Sequence, residues 1–364
     1  MDPRQRVSIC VRRAVTDKAL PSRRALLAAV PAVLAPGLGF ALASPEAPQG
    51  WREAVVIVPD LAPWIETLTV VGGWEMAWSG PGDAALNAFW SLPPGARTER
   101  ALMRNIGTHS GFIRLVKLRG AEQKLIRPDD QAWDTGAIQA LDVRVVDIEA
   151  TRSALHARGW RAPSDPVRYK TYGVEVIQWA PSSPDGVRLS FIQRIAPPLV
   201  GWAELKRWGR VTNAAITVKD MDVADRFYSS LLALTPGPRS NTVGSDGPNV
   251  MGMPWAFSRD LAVDIRGFYG PSRQDGSIEL ISMKAAQGRD FSADAHPPNL
   301  GIAALRLIVA DATALALRLS QAGVSVSSPM TGLVVPPYGP CKAFAVLAPD
   351  GVRLEFLQPL AAAA

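Results

Sequence analysis

Two glutamates stand where strands leave little room for a charge. Glu279 lies in Ile278-Glu279-Leu280-Ile281 and Glu355 in Leu354-Glu355-Phe356-Leu357. A carboxylate inside an apolar strand is costly unless it is paired, hydrogen-bonded or protonated, although strand alternation also allows it to point to solvent. If both face one cleft, they suit a weakly held cation or an acid–base pair with one neutral and one ionised member. Histidine is scarce, with only His109, His156 and His296. His296 belongs to the loop Asp294-Ala295-His296-Pro297-Pro298, where a solvated side chain is expected and a gate or general base is the sharper reading. Tyr338, between Pro337 and Gly339, is a loop aromatic placed to touch a small-molecule ligand. Neither a Gly-x-Ser-x-Gly nucleophile turn, a phosphate-binding Walker loop nor a His-Glu-x-x-His metal helix occurs, which removes those chemistries.

The elements that position these residues follow from internal repetition. Residues 184–193 (PDGVRLSFIQ) match 349–358 (PDGVRLEFLQ) at an offset of 165, and Gly111–Leu115 match Gly276–Leu280 at the same offset. Residues 138–147 match 302–311 at 164, and 53–60 match 213–220 at 160. The body is therefore a duplication, and each half divides again into two modules. A module opens with an apolar, β-branched run ending in Asp, such as Ala214–Asp220. A helix follows, with apolar residues three and four apart at Val223, Phe227, Leu231 and Leu234. Three strands complete it, the last after an Asp-Gly turn at Asp185, Asp275 or Asp350. The expected fold is α+β, with four βαβββ modules in two tandem domains. The domains span 53–196 and 211–360, and the Pro-rich stretch 197–210 is read as a linker.

This arrangement resembles the vicinal oxygen chelate superfamily of glyoxalases, bleomycin-resistance proteins and extradiol dioxygenases. Asp222-Val223-Ala224-Asp225-Arg226-Phe227-Tyr228 and Ala348-Pro349-Asp350-Gly351-Val352-Arg353-Leu354-Glu355 carry the likeness best. The resemblance implies curled sheets around a cleft, with a divalent ion held by first-strand and last-strand side chains. Those places hold Asn213, Glu279, Ala304 and Glu355 in the C-terminal half, and Glu53, Arg114, Ala140 and Ser190 in the N-terminal half. None is a histidine, so the chain departs from the family's usual metal triad. What the resemblance then implies is an enzyme of isomerase, lyase or proton-abstraction type acting on a small apolar or aromatic oxygenated substrate. Glu279 and Glu355 would serve as bases, or as ligands of a divalent Fe, Mn or Zn, and Asn213 would orient the substrate or cap a turn. Glu53 and Arg114 are expected to form an ion pair where a metal site has been lost. The alternative is a non-catalytic protein that sequesters a hydrophobic compound. Tyr228 is expected in the core, and the eleven Trp suit both core packing and an aromatic ligand.

Charge and the N-terminus supply the remaining bounds. Of 364 residues, 39 are Lys or Arg and 33 Asp or Glu, but residues 1–43 hold seven of the bases and two of the acids. The rest is nearly neutral, which argues against nucleic acid as a partner. The stretch 1–43 itself reads as an export leader. Arg23-Arg24 precede an apolar run from Ala25 to Ala43, and Ala41-Leu42-Ala43 suit a cleavage site. Periplasmic or secreted localisation through a twin-arginine-like signal is the expectation. Pro31, Pro36, Gly37 and Gly39 make that run a poor permanent membrane span. Only Cys10 and Cys341 are present, so removal of the leader leaves no disulfide. Two paired domains satisfy the fold within a monomer, and a homodimer is equally compatible.

Overall fold

A computed structural model describes residues 48–360 apart from 244–246, 274 and 287; the leader lies outside the described residues. Module one comprises β1 (Trp51–Ile57), α1 (Leu61–Glu66), β2 (Glu75–Pro81), α2 (Ala84–Phe89), β3 (Arg97–Arg104) and β4 (Phe112–Arg119). Module two has β5 (Ala140–Val145), α3 (Ile148–His156), β6 (Val167–Thr171), β7 (Val174–Trp179) and β8 (Leu189–Ala196). In module three come β9 (Trp208–Thr217), α4 (Met221–Arg226), β10 (Thr235–Val243), α5 (Trp255–Ser258), β11 (Ala262–Tyr269) and β12 (Ser277–Ser282). The fourth contains β13 (Gly301–Ile308), α6 (Ala312–Gln321), β14 (Val326–Val335), β15 (Gly339–Leu347) and β16 (Arg353–Pro359). Among the described residues no helix is long and apolar enough to cross a membrane.

The repeated sequence signals have local causes. The Asp that ends a first strand caps the following helix: Asp147 accepts from the amide of Ala150, Asp220 from Asp222 and Val223, and Asp311 from Thr313 and Ala314. The Gln that closes a module reaches back to the same helix start. Gln193 Oε1 accepts from Ile148 N at 3.0 Å and Gln358 Oε1 from Ala312 N at 3.1 Å, satisfying a donor the helix cannot. The Asp of each Pro-Asp-Gly turn clasps the helix of the preceding module. Asp185 accepts from Trp64 Nε1 at 2.9 Å, and Asp350 from the buried Tyr228 hydroxyl at 3.1 Å.

Neither sheet pairs the two modules of one sequence half. One eight-stranded sheet runs β14-β15-β16-β13-β1-β4-β3-β2 and joins modules one and four; the other runs β10-β11-β12-β9-β5-β8-β7-β6 and joins two and three. The seams are the antiparallel pairs β1–β13 and β5–β9. The tandem domains expected at 53–196 and 211–360 are therefore held together by helix-to-turn clasps, whereas their sheets are exchanged. A repeat identifies equivalent edges, and any two equivalent edges can pair in this antiparallel way.

The helices and the helix-facing sides of both sheets enclose the largest core, which includes Trp64, Leu68, Leu155, Tyr228, Leu315 and Phe356. The inner faces form two smaller apolar clusters, one per sheet. Strand ends lock the sheets reciprocally. Trp51 N donates to Gly276 O at 3.1 Å and Gly276 N returns to Trp51 O at 2.8 Å, while Val211 N donates to Gly111 O at 3.1 Å. At the second lock Trp208 is fully buried, donates to Thr151 Oγ1 at 3.1 Å and packs its ring 4.6 Å from Phe191. A Cβ on Gly72 would stand 2.7 Å from that ring, so module one must present glycine there.

Replacing Trp208 with Ala removes a large side chain between modules one, two and three. A loss of about 3–5 kcal/mol of unfolding free energy is expected, measured by urea titration. A loss under about 1 kcal/mol would mean that the lock is not what couples the sheets.

Candidate active site

The two seams use the same register with different chemistry. In the first sheet β1 and β13 place Glu53 opposite Arg306, and β13 and β16 place Arg306 beside Glu355. In the second, β5 and β9 place Asp142 opposite Asn213, and β5 and β8 place Asp142 beside Ser190. The residues at the ligand-like positions of β5 and β13 are thus Asp142 and Arg306, not Ala140 and Ala304. The cause is the antiparallel pairing itself: Glu53 and Asn213 stand seven residues before their capping Asp, and the residues that pair with them, Arg306 and Asp142, stand five before theirs.

The first inner face is closed by ion pairs. Arg114 grips Glu53 bidentately, Nε to Oε1 at 2.7 Å and Nη2 to Oε2 at 2.9 Å, as the paired spacing suggested. Arg306 bridges both acids, with Nη1 2.9 Å from Glu53 and Nε 2.7 Å from Glu355. Glu355 also accepts from Arg353 Nε at 2.9 Å and Trp90 Nε1 at 2.7 Å. Glu53, Arg114, Arg306 and Glu355 are all 0% exposed. Burial alone would raise both carboxyls, but the guanidiniums overcome it: Glu53 sits below its ordinary value and Glu355 falls to about 2. The segment at α2 plugs the mouth, since Phe89 O accepts from Arg353 Nη2 at 3.1 Å and also from Ser328 Oγ. Tyr338 donates to Glu53 at 3.2 Å and so belongs to this network.

The second inner face keeps its carboxyls free. Asn213 Nδ2 donates to Asp142 Oδ2 at 3.0 Å, and Ser277 Oγ donates to Asn213 Oδ1 at 2.9 Å. Gln178 Nε2 donates to Ser190 Oγ at 2.7 Å while Gln178 Oε1 accepts from the Tyr169 hydroxyl, and Ser190 also bonds Asp142. Glu279, beside Ala215 and Gly267 in register, has no hydrogen bond or ion pair among the described residues. Its residue surface is only half-buried, while protein crowds the carboxyl closely enough to desolvate it. That desolvation and the nearby Asp142 push Glu279 up to about 8. Asp142 is raised by burial too, against the opposing bonds from Asn213 and Ser190. At neutral pH the pair therefore holds a proton, with Glu279 as the acid and Asp142, which accepts two hydrogen bonds, as the carboxylate. Beyond it the face is apolar, with Ala140, Ala215, Met253, Leu261, Val263, Ile281 and Met283. Trp133 and Phe257 meet edge to face at 5.3 Å on its rim. Here α5 leaves Trp255 56% and Phe257 40% exposed, where its counterpart α2 buries Phe89.

The expected site residues are thus divided. Glu279 and Asn213 share the second face, whereas Glu355 and Tyr338 belong to the first, so the two glutamates do not form one pair. Burial of the side chains on two separate sheets, invisible to the repeat, is the reason. His296 bonds its own loop, Nδ1 lying 2.6 Å from Pro297 O, and neither inner cluster includes it. Asp142, Arg306, Arg353 and Tyr169 escaped the sequence reading. The signal for two of them was present, since Ala-Leu-Asp and Ala-Leu-Arg put a charge at one equivalent place in each apolar strand.

A divalent ion fits neither face. The first offers two carboxylates whose oxygens are taken by guanidiniums, and Arg306 fills the space between them. The second offers Asp142, a carboxyl that favours its proton, and an amide, where a first-row ion wants three or four firm donors. Among the described residues no three His, Cys, Asp or Glu side chains are grouped to hold a metal.

Known proteins share the architecture. Glyoxalase I from Zea mays superposes with a TM-score of 0.56 at 13% identity, covering 85% of this chain and 92% of that one. A putative dioxygenase from Bacillus subtilis subsp. subtilis str. 168 gives 0.53 at 13% identity over 86% of each chain. Neither a protein-family model nor a curated protein matches the sequence. The chain thus has the tandem glyoxalase-like βαβββ fold, and the likeness is one of fold.

The two faces should answer oppositely to charge removal. Glu355→Gln leaves Arg306 and Arg353 short of a counter-charge and is expected to cost about 3–5 kcal/mol. Glu279 has its folded pKa raised, so it stabilises below its unfolded value and loses that contribution as pH climbs from about 4.5 through 8. Glu279→Gln should therefore gain in melting temperature over wild type as pH rises from 6 to 9. A gain that is constant with pH would show that Glu279 titrates normally.

Proposed function

We propose that the second inner face is the active site of an enzyme that moves a proton next to a carbonyl in a small, partly apolar oxygenated substrate. The observation that carries this reading is the free Glu279 carboxyl, which keeps its proton below about pH 8, beside the hydrogen-bonded carboxylate of Asp142. In the forward direction the Asp142 carboxylate takes the proton from carbon, and Glu279 gives its own proton to the carbonyl oxygen as the enol forms. Return of the proton to the neighbouring carbon completes an isomerisation; expulsion of a leaving group gives a lyase. Asn213 keeps Asp142 oriented, and Tyr169 buttresses it through Gln178 and Ser190. Glu355, first expected as a second base, has a supporting role in this proposal because two guanidiniums hold it ionised and enclosed.

The substrate's shape is read from the remaining wall. Arg144 lies near Asp142 and Arg194 near Arg144, and neither makes a hydrogen bond or ion pair among the described residues. Each is half-buried, which suits an anionic or strongly polar end. The Met and Ala surface with Trp133 and Phe257 suits an apolar or aromatic end. Export of the protein through the basic, apolar leader belongs to the same proposal. A non-catalytic protein that sequesters such a compound is the second reading, favoured by the exposed Trp255 and Phe257 at the rim.

Proton exchange separates the two. Wild-type protein incubated in heavy water with a panel of α-hydroxy ketones and aryl α-keto acids should wash deuterium into one substrate, followed by proton NMR. Glu279→Gln and Asp142→Asn should each lower the rate about 10²–10⁴-fold while changing affinity only a few-fold. Because Glu279 must be protonated to act, kcat/KM should fall as pH passes about 8, and that limb should vanish in Glu279→Gln. Tight binding without exchange would favour sequestration.

A further inference from the structure

The first inner face carries more positive charge than its acids neutralise. Arg100 on β3 lies diagonal to Arg114 on β4, since Arg100 pairs with Val116 and Leu102 with Arg114. Arg100 is 4% exposed and Arg353 is 5% exposed. Arg100, Arg114, Arg306 and Arg353 share this face with Glu53 and Glu355, while Asp83 lies near Arg100, whose Nη2 donates to Pro81 O at 2.7 Å. Both acids are saturated. Glu53 accepts two bonds from Arg114 and one each from Arg306 and Tyr338, and Glu355 accepts from Trp90, Arg306 and Arg353.

Three N–H groups are left over: Arg114 Nη1, Arg306 Nη2 and Arg100 Nε are buried without a hydrogen-bond partner. Their bearers crowd one another. Burial first, then the charges of Arg114 and Arg306, lower Arg100 to about 10, with Asp83 and Glu53 opposing. The Arg100 and Arg114 guanidiniums lie 5.1 and 5.6 Å from the centre of the Trp78 ring. That ring supplies a π-face but no acceptor. Unsatisfied buried donors on like-charged groups are costly, and a compact anion would satisfy all of them at once.

We propose that this face is a binding site for a small anion, held by Arg114 Nη1 and Arg306 Nη2 with Arg100 as the third donor. The enclosing plug of Phe89 and Trp90 limits the occupant to a halide, a formate-sized carboxylate or a single oxyanion. The site is separate from the proposed catalytic face, and its role is to hold the first sheet shut.

The test uses the whole protein in two arms. Crystals grown without halide are soaked in sodium bromide, and an anomalous peak within hydrogen-bond distance of Arg114 Nη1 and Arg306 Nη2 is expected. In solution, melting temperature is followed at constant ionic strength while gluconate is exchanged for chloride, formate or phosphate. A saturating rise of a few degrees with at least one of them identifies the anion and its source. The rise should be absent in Arg100→Gln and weakened in Arg100→Lys. An ordered water at that place without anomalous signal, together with equal salt responses in wild type and Arg100→Gln, overturns the proposal. The crystallographic arm stands even if Arg100→Gln does not fold.

Discussion

The antiparallel pairing of equivalent first strands is the constraint on which the rest depends. It sets β1 against β13 and β5 against β9, and in each pair one residue from either strand meets on the inner face. Whatever those two residues are decides the fate of the sheet. Glu53 against Arg306 makes an attraction that draws in Glu355, Arg114 and Arg353 until both acids are saturated. Asp142 against Asn213 makes a neutral-to-acid hydrogen bond that draws in hydroxyls but no ion-paired cation. A carboxylate that accepts from an amide and a hydroxyl is adequately solvated by the protein without a counter-ion. The neighbouring Glu279 then has no cation to lower its pKa, and desolvation leaves it protonated.

One fold therefore carries two divergent solutions to buried charge. A closed network of guanidiniums and carboxylates is rigid because each broken contact exposes an unpaired charge in a medium that cannot solvate it. An unpaired carboxyl is the opposite. It detracts from stability whenever it ionises, and such a residue persists where something other than folding needs it. The same contrast extends to the plugs. The α2 segment buries Leu86, Phe89 and Trp90, whereas α5 buries Ser258 and exposes its aromatics. Closure and openness at the mouth thus follow the charge arrangement at the base.

Much of the fold was legible because its signals are local. The Asp at the end of the first strand caps the helix in modules two, three and four, the closing Gln is a second cap, and the Pro-Asp-Gly turn supplies a clasp; each works within a few residues or against the adjacent module. The repeat offsets likewise marked the modules. Which module pairs with which was not legible, since all four present equivalent edges and the choice is made by three-dimensional closure. The Glu53–Arg114 pair was readable from β1 and β4 lying side by side. The separation of Glu279 from Glu355 was not, because it depends on that cross-pairing.

The antiparallel pairing explains the remaining miss, and it carries a general point about duplicated strands. Counting back from the capping Asp gives Ala140 and Ala304, which would leave each seam with one polar residue facing a methyl group. Antiparallel pairing brings Asp142 and Arg306, two residues further along their strands, opposite Asn213 and Glu53 instead. The burial of Glu53 at 0% exposure could not be tolerated against Ala304, since Arg114 alone would leave Glu355 without a shared partner. Register here is selected by charge satisfaction as much as by the apolar alternation of the strands. In the second sheet the same pairing brings an acid to an amide, and it is this unequal use of one register that separates an ion-paired face from a chemically available one.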